Sequence, residues 1–337
     1  DLIREQFGVR TPVLAMATLL IANATTTIAE FAGVASAGEV LGVSKYFSVP
    51  LAAVVVWFLV VWGSYRRVER ILLVGCALFV VYVLSGFLVH PNWHAVARNS
   101  LVPSFHFQVD YITVLIGLIG TTITPWMQFY QQAAVVDKGI AVEEYPYERW
   151  DIWIGAFITN FIAFFIIIAT AATMFAHGIE INGAGDAAAA LKPLAGRFAS
   201  GLFALGLLNA SLMAAAVLPL STAYGVCEAF GWERGVNRGF HDAPIFLGLY
   251  SGLIAAGALI VLWPGAPLLQ LLFLPNVVGG ILLPVILILM LRLVNSKRLM
   301  GDHTNGPLLN LIAGGTTVAL IALTAIYLVV TVGSAIH

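Results

Sequence analysis

Apolar runs of about 20 residues, recurring between short charged clusters, constrain this chain more than any other feature, because a helix needs that length to cross a hydrocarbon layer about 30 Å thick. Nine such runs fall at about residues 12–37, 47–62, 68–89, 109–136, 150–176, 195–227, 243–263, 266–291 and 307–332. Of the 337 residues, 60% are hydrophobic and only 10% charged, which excludes an ordinary soluble enzyme. The fold class is therefore an all-α integral membrane protein, with about nine transmembrane helices. The 16 Lys and Arg are balanced by 17 Asp and Glu, so the sequence offers no basic face for nucleic acid and names no obligate protein partner. The lipid bilayer is the partner it does name. Cys76 and Cys227 lie in apolar stretches, where a thiol acts as a small buried hydrophobe, and no disulfide is expected. The chain starts at Asp1 with no signal-peptide pattern before the first run, and reads as a fragment.

Assigning alternate connections to alternate sides places twelve cations on one side, among them Arg4, Arg10, Arg66, Arg67 and Arg70, against only Lys45, Arg98, Lys192 and Arg197 on the other. The positive-inside rule then puts the N-terminal segment, residues 1–11, in the cytoplasm and the protein in the plasma membrane. The connection from His90 to Gln108 is expected as a long loop on the outside, and the acidic connection from Asp137 to Arg149 on the inside.

Among the 17 acidic residues, Glu30 alone sits well inside a span, within Thr27-Ile28-Ala29-Glu30-Phe31-Ala32-Gly33. A charge there costs roughly 2.5–3.5 kcal/mol on insertion scales, so Glu30 is expected either to line a cavity or ion route or to tie helices together by a hydrogen bond. The fourth span carries Gly120-Thr121-Thr122-Ile123-Thr124-Pro125-Trp126-Met127-Gln128. Pro125 lacks an amide proton and its ring crowds the carbonyl of Thr121. If Gly120 lets the chain unwind, that carbonyl and the Thr124 hydroxyl become oxygen ligands at a discontinuous helix, with Gln128 holding waters; otherwise the proline only kinks the helix. A second break is expected at Pro275, where Asn276 supplies either a ligand oxygen or an interhelical hydrogen bond. Pro219 reads as a simple kink. All seven histidines fall in connections or at the chain end, so no midplane imidazole is available for zinc.

These segments resemble the NRAMP family of divalent-metal transporters, and most closely its magnesium-transporting branch. The likeness rests on Thr27 to Gly33, Gly120 to Trp126, the surroundings of Pro219, and Asn276 to Pro284, and it runs along essentially the whole chain. It implies a LeuT-type inverted-repeat transporter bundle of about eleven helices, with two inverted repeats of five. Residues 12–89 would be the remainder of the first repeat, 109–291 the second, and 307–332 an additional C-terminal helix of one transmembrane domain covering residues 1–337. The first two helices, with the Asp-Pro-Gly motif that supplies the family's main metal carboxylate, would be absent.

Transition-metal members carry Met-Pro-His where this chain has Thr124-Pro125-Trp126, and an aspartate where it has Thr27. The resemblance thus implies an oxygen-only site, from Thr121, Thr124 and Asn276, that suits Mg²⁺ as transported substrate and keeps Mn²⁺ in play through Met127, with no cofactor. Losing the histidine position to Trp126 and the aspartate position to Thr27, with Glu30 retained, implies transport uncoupled from protons. The alternatives are a proton-coupled Mn²⁺ or Fe²⁺ importer and an organic-solute symporter of the same fold. A membrane enzyme needs a nucleophile with a base or a metal-bound water, for which one intramembrane carboxylate and no midplane histidine give no basis.

Overall fold

The computed structural model describes residues 10–61, 74–102, 104–191, 196–236 and 239–336, and helix is the only regular backbone among them apart from turns. The longer helices are α1 (Arg10–Val40), α2 (Lys45–Val61), α3 (Val80–Leu88, entered through a 3-10 turn at Cys76–Phe79), α4 (Trp93–Leu101), α5 (Val109–Thr122) and α6 (Pro125–Lys138). They continue with α7 (Tyr145–Thr173), α8 (Ala199–Phe230), α9 (Pro244–Leu262), α10 (Leu268–Val294) and α11 (Pro307–Ile336). Seven spans among the described residues are long and apolar enough to cross a membrane, with α5 and most of α6 forming one of them, Val109–Gln132. The bent pair Cys76–Leu88 and Trp93–Leu101 would make an eighth, and Lys45–Val61 is a shorter apolar helix. The cytoplasmic assignment of residues 1–9 and of the Arg66-Arg67 turn lies outside the described residues, as does the first part of the span expected at 68–89.

The connection expected as a loop from His90 to Gln108 is partly helical. The chain reverses at His90 (φ 47°), and Asn92 caps α4 by accepting a hydrogen bond from the Ala95 amide at 3.1 Å. That cap supplies a partner for one of the orphan amides of a first helical turn, so a short helix forms at 113° to its predecessor.

α1 is the central post, packed against α2, α8, α9 and α10. Its threonines bond back to their own helix: Thr18 to the Leu14 carbonyl at 2.8 Å, Thr26 to Ala22 at 2.7 Å and Thr27 to Asn23 at 2.7 Å. A hydroxyl satisfied this way enters the bilayer without a partner from another helix. Phe31, Ala32, Val34 and Ala35 on the same helix are fully buried against α2, α8 and α9.

Lipid tails are as apolar as leucine, so close packing rather than apolar burial must hold such helices together. The tightest approach joins α5 to α10. A Cβ added at Gly120 would strike the backbone carbonyl of Asn276 and lie 2.6 Å from the Gly280 nitrogen, and one added at Gly280 would lie 2.5 Å from the Ile116 carbonyl. Gly117 meets Phe273 and Val277 in the same seam. The surface turned away from the bundle is apolar: α7 exposes Trp150, Trp153 and Phe157, with Phe157 stacked on Phe161 at 5.8 Å.

Candidate cation site

α5 ends at Thr122, Ile123 and Thr124 are non-helical, and Pro125 opens α6. Two β-branched residues precede the proline, and a residue before proline is already driven out of the helical region. Thr124 accordingly takes φ −82° and ψ 137°, and Pro125 occupies the first helical position, where its missing amide proton leaves no gap. The Ile123 amide closes α5 on the Ile119 carbonyl at 2.9 Å. The Thr121 carbonyl has no such donor, because residue 125 is a proline.

The interruption lies three residues beyond Gly120, which remains helical. Gly120 does not unwind because it is the contact point with α10: its missing side chain lets the two backbones touch. Pro275 departs from expectation more clearly. α10 runs unbroken through both Pro275 and Pro284. Each is preceded by a leucine, Leu274 or Leu283, which is not branched at Cβ, and the helix is held by α1, α5 and α11, so a lost amide proton does not end it.

The structure brings the interrupted segment against the Asn276 turn of α10. Gly120 touches the Asn276 carbonyl, and a Cβ at Gly279 would sit 3.9 Å from Pro125. The Thr124 Oγ1 is buried and has no hydrogen-bond partner. A buried hydroxyl without a partner costs roughly 1–3 kcal/mol, so it marks a place where a ligand or water belongs. Asn276 donates its side-chain N–H to the Leu272 carbonyl at 3.0 Å, and its amide oxygen has no partner among the described residues. Thr121 is exposed, whereas the neighbouring Thr122 hydroxyl is engaged with Leu118 at 2.8 Å.

Glu30 lies on α1, half-buried, with the Ser211 hydroxyl of α8 donating to its carboxylate. Ser211 abuts Gly33, which also meets Leu272 of α10. Thus the Glu30 layer adjoins the helix that carries Asn276. Thr27 is fully buried, but its hydroxyl is turned to its own helix. Trp126 packs beside Phe129 on Ala15, Met16, Leu19 and Leu289, forming an apolar plug at the end of the bundle where α1 begins. Gln128 is half-buried, and Met127 is 51% exposed, pointing away from the interior.

One polar group escaped the reading of the sequence. Asn23 is fully buried and donates to Ser221 at 3.1 Å and Thr222 at 2.7 Å, two hydroxyls that themselves donate to the Leu218 carbonyl, and its Oδ1 has no partner. An amide in the middle of an apolar run was the available signal. Among the described residues, no group of three or more His, Cys, Asp or Glu side chains is placed to hold a metal. What the site offers is neutral oxygen: a freed carbonyl, a hydroxyl and an amide.

Architecture and site together define a multi-pass helical membrane protein with a discontinuous span at its centre. The fold is that of a solved transporter: the Eremococcus coleocola manganese transporter in complex with an aromatic bis-isothiourea substituted compound superposes with a TM-score of 0.72 at 20% identity, over 96% of this chain and 73% of that one. Residues 1–331 match the family described as Nramp, natural resistance-associated macrophage protein-like, and the chain belongs to that family. Similar proteins include the divalent metal cation transporter MntH of Clostridium acetobutylicum, 27% identical over 232 residues, covering 67% of this chain and 51% of that protein. The protein of the same description from Bacillus subtilis is 26% identical over 321 residues, covering 90% of this chain and 71% of its own length. The chain thus spans about half of the first relative and 71% of the second.

Proposed function

We propose that the chain forms the greater part of a plasma-membrane carrier for divalent metal cations, working by alternating access around the gap at Ile123–Thr124. The observation that carries this reading is the interrupted span with the buried, unpartnered Thr124 hydroxyl set against the Asn276 turn. The relatives' description as divalent metal cation transporters supports it. The Thr121 carbonyl, Thr124 hydroxyl and Asn276 amide oxygen serve as direct or water-mediated ligands, Glu30 lends negative potential to the route, and Gln128 holds hydration water. The N-terminal end of α1 faces the cytoplasm.

Hard oxygen donors without a sulfur turned inward favour Mg²⁺, which keeps part of its water shell. This matches the resemblance to the magnesium branch, and transport runs without proton coupling because neither the Trp126 indole nor the Thr27 hydroxyl takes up or releases a proton near neutral pH. The second reading, Mn²⁺ transport with proton coupling, is favoured by the solved structure that is similar, described as a manganese transporter. Flux into proteoliposomes holding the complete transporter decides between them. Mg²⁺ uptake that falls when Thr124 is changed to Val, with no matching change of internal pH, supports the first. Uptake of Mn²⁺ alone with stoichiometric acidification supports the second, and absence of flux of either ion rejects both.

A further inference from the structure

We propose that a cavity at the C-terminal end of α1 is a second cation site, an antechamber that holds a hydrated divalent ion before it reaches the centre of the membrane. The proposal extends the transport reading above and rests on it only for the direction of travel. The cavity is a half-open groove of about 680 Å³ between the last turns of α1, the start of α10 and the segment at residues 182–185. Six waters at about 30 Å³ each need about 180 Å³, so an ion enters with its full shell.

Four oxygen-bearing side chains stand in an otherwise apolar wall. Glu39, Asn182 and Gln270 sit at its wall, and Ser36 lines it from deeper in α1. Ser36 is only 6% exposed and its hydroxyl makes no hydrogen bond among the described residues, although the buried Thr18 and Thr27 of the same helix bond back to a carbonyl. The residue lines the cavity, so its hydroxyl is free to take a partner from there. The Glu39 carboxylate is exposed and carries neither an ion pair nor a hydrogen bond among the described residues. Asp186 stands close by but accepts from the Asn182 amide at 3.1 Å, so it braces the wall and adds negative field instead of a free ligand. The described cation nearest in sequence, Lys45, is held by the carbonyls of Val261 and Trp263, each at 3.0 Å, at the end of α9. One free carboxylate with neutral oxygens around it is a site for outer-sphere capture: strong enough to concentrate a divalent ion, too weak to strip its water.

The floor of the cavity leads inward. Leu272 lines it, and the same residue meets Gly33 and accepts from the Asn276 amide through its carbonyl. Gly33 in turn abuts Ser211, the partner of Glu30. The antechamber is therefore one layer of side chains from both Glu30 and the Asn276 turn.

Mn²⁺ serves as the paramagnetic probe. A nitroxide is attached at Leu269→Cys in a Cys76→Ser background of the complete transporter in nanodiscs, and its signal is followed as Mn²⁺ is added. Saturable broadening that Mg²⁺ reverses is expected, weakened about fivefold by Glu39→Gln, the effect of removing one charge from a solvated ion about 5 Å away. Ser36→Ala should weaken it less, and Thr124→Val should leave it unchanged. Broadening that rises linearly with Mn²⁺, or that is equal with and without the Glu39 carboxylate, overturns the antechamber. Uptake assays separate the two claims. Saturable binding without flux rejects transport and keeps the antechamber, whereas flux with Glu39-independent broadening does the reverse. With both intact, Glu39→Gln raises the apparent KM about fivefold while kcat holds, as loss of a steering charge should.

Discussion

Prolines stand within several helical spans of this bundle, at Pro50 of α2, Pro219 of α8 and Pro275 and Pro284 of α10 as well as at Pro125, and among the described residues only the last of these spans is cut. At Pro125 the chain leaves the helix for two residues and begins again, whereas α10 passes through Pro275 and Pro284 without interruption. The difference is in the residue before and the neighbours around. Ile123 and Thr124 are β-branched and readily extended, while Leu274 and Leu283 stay helical. α10 is also clasped by α1, α5 and α11, and its glycines fit so closely against α5 that leaving the helix would undo the seam. Proline alone does not create an opening in the membrane, and neither does one β-branched residue before it, since α2 stays helical through Val49-Pro50; the chain is cut where two β-branched residues precede the proline.

The contrast is broken most forcefully at the seam. Gly280→Val places carbon against the Ile116 carbonyl and Gly120→Ala against that of Asn276, both backbone groups with no room to yield. Each should cost about 3 kcal/mol or more, at the upper end for overpacking, seen as loss of the monodisperse peak or a lower Tm in detergent. Gly314→Ala, which meets open space, should leave the Tm unchanged.

Next in size is the cut itself. Pro125→Ala restores the amide proton that the Thr121 carbonyl lacks, so the two halves should join and uptake fall about tenfold or more, a loss of at least about 1.4 kcal/mol in transition-state stabilisation. Pro284→Ala should alter uptake by less than about twofold, since that helix is already continuous. Equal losses for the two would erase the distinction between the helices.

Thr124→Val sharpens it further, because stability and function should move in opposite directions. Removing a buried hydroxyl that has no partner stabilises the fold by about 1 kcal/mol, while uptake declines. A Tm that falls would mean the hydroxyl is bonded in the native protein. The smallest effect is expected at Met127: its side chain is turned outward, so Met127→Ala should leave the Mg²⁺ to Mn²⁺ preference unaltered in competition uptake.

The membrane class was legible from run length and charge, since hydrocarbon thickness acts on every segment alike. The place of the interruption was legible from Pro125, but its register was not: the role of Gly120 depends on Asn276 and Gly280, about 160 residues away in the chain, which no local pattern announces. The same limit explains Pro275, whose fate is set by three neighbouring helices. Glu30 stood out as the lone acid in its span, whereas Asn23, Ser36 and Glu39 needed coordinates, because a single polar residue acquires meaning only from what surrounds it.

The inward-turned hydroxyls of α1 carry a mechanical consequence. Because Thr18, Thr26 and Thr27 are saturated by their own helix, shifting that helix lengthwise or rotating it breaks none of their bonds. Resistance to such a displacement along α8 is concentrated at two polar pins, Asn23 with Ser221 and Thr222, and Glu30 with Ser211. The post at the centre of the bundle is thus built so that its polar anchorage to α8 is confined to two points, the rest of that contact being apolar packing.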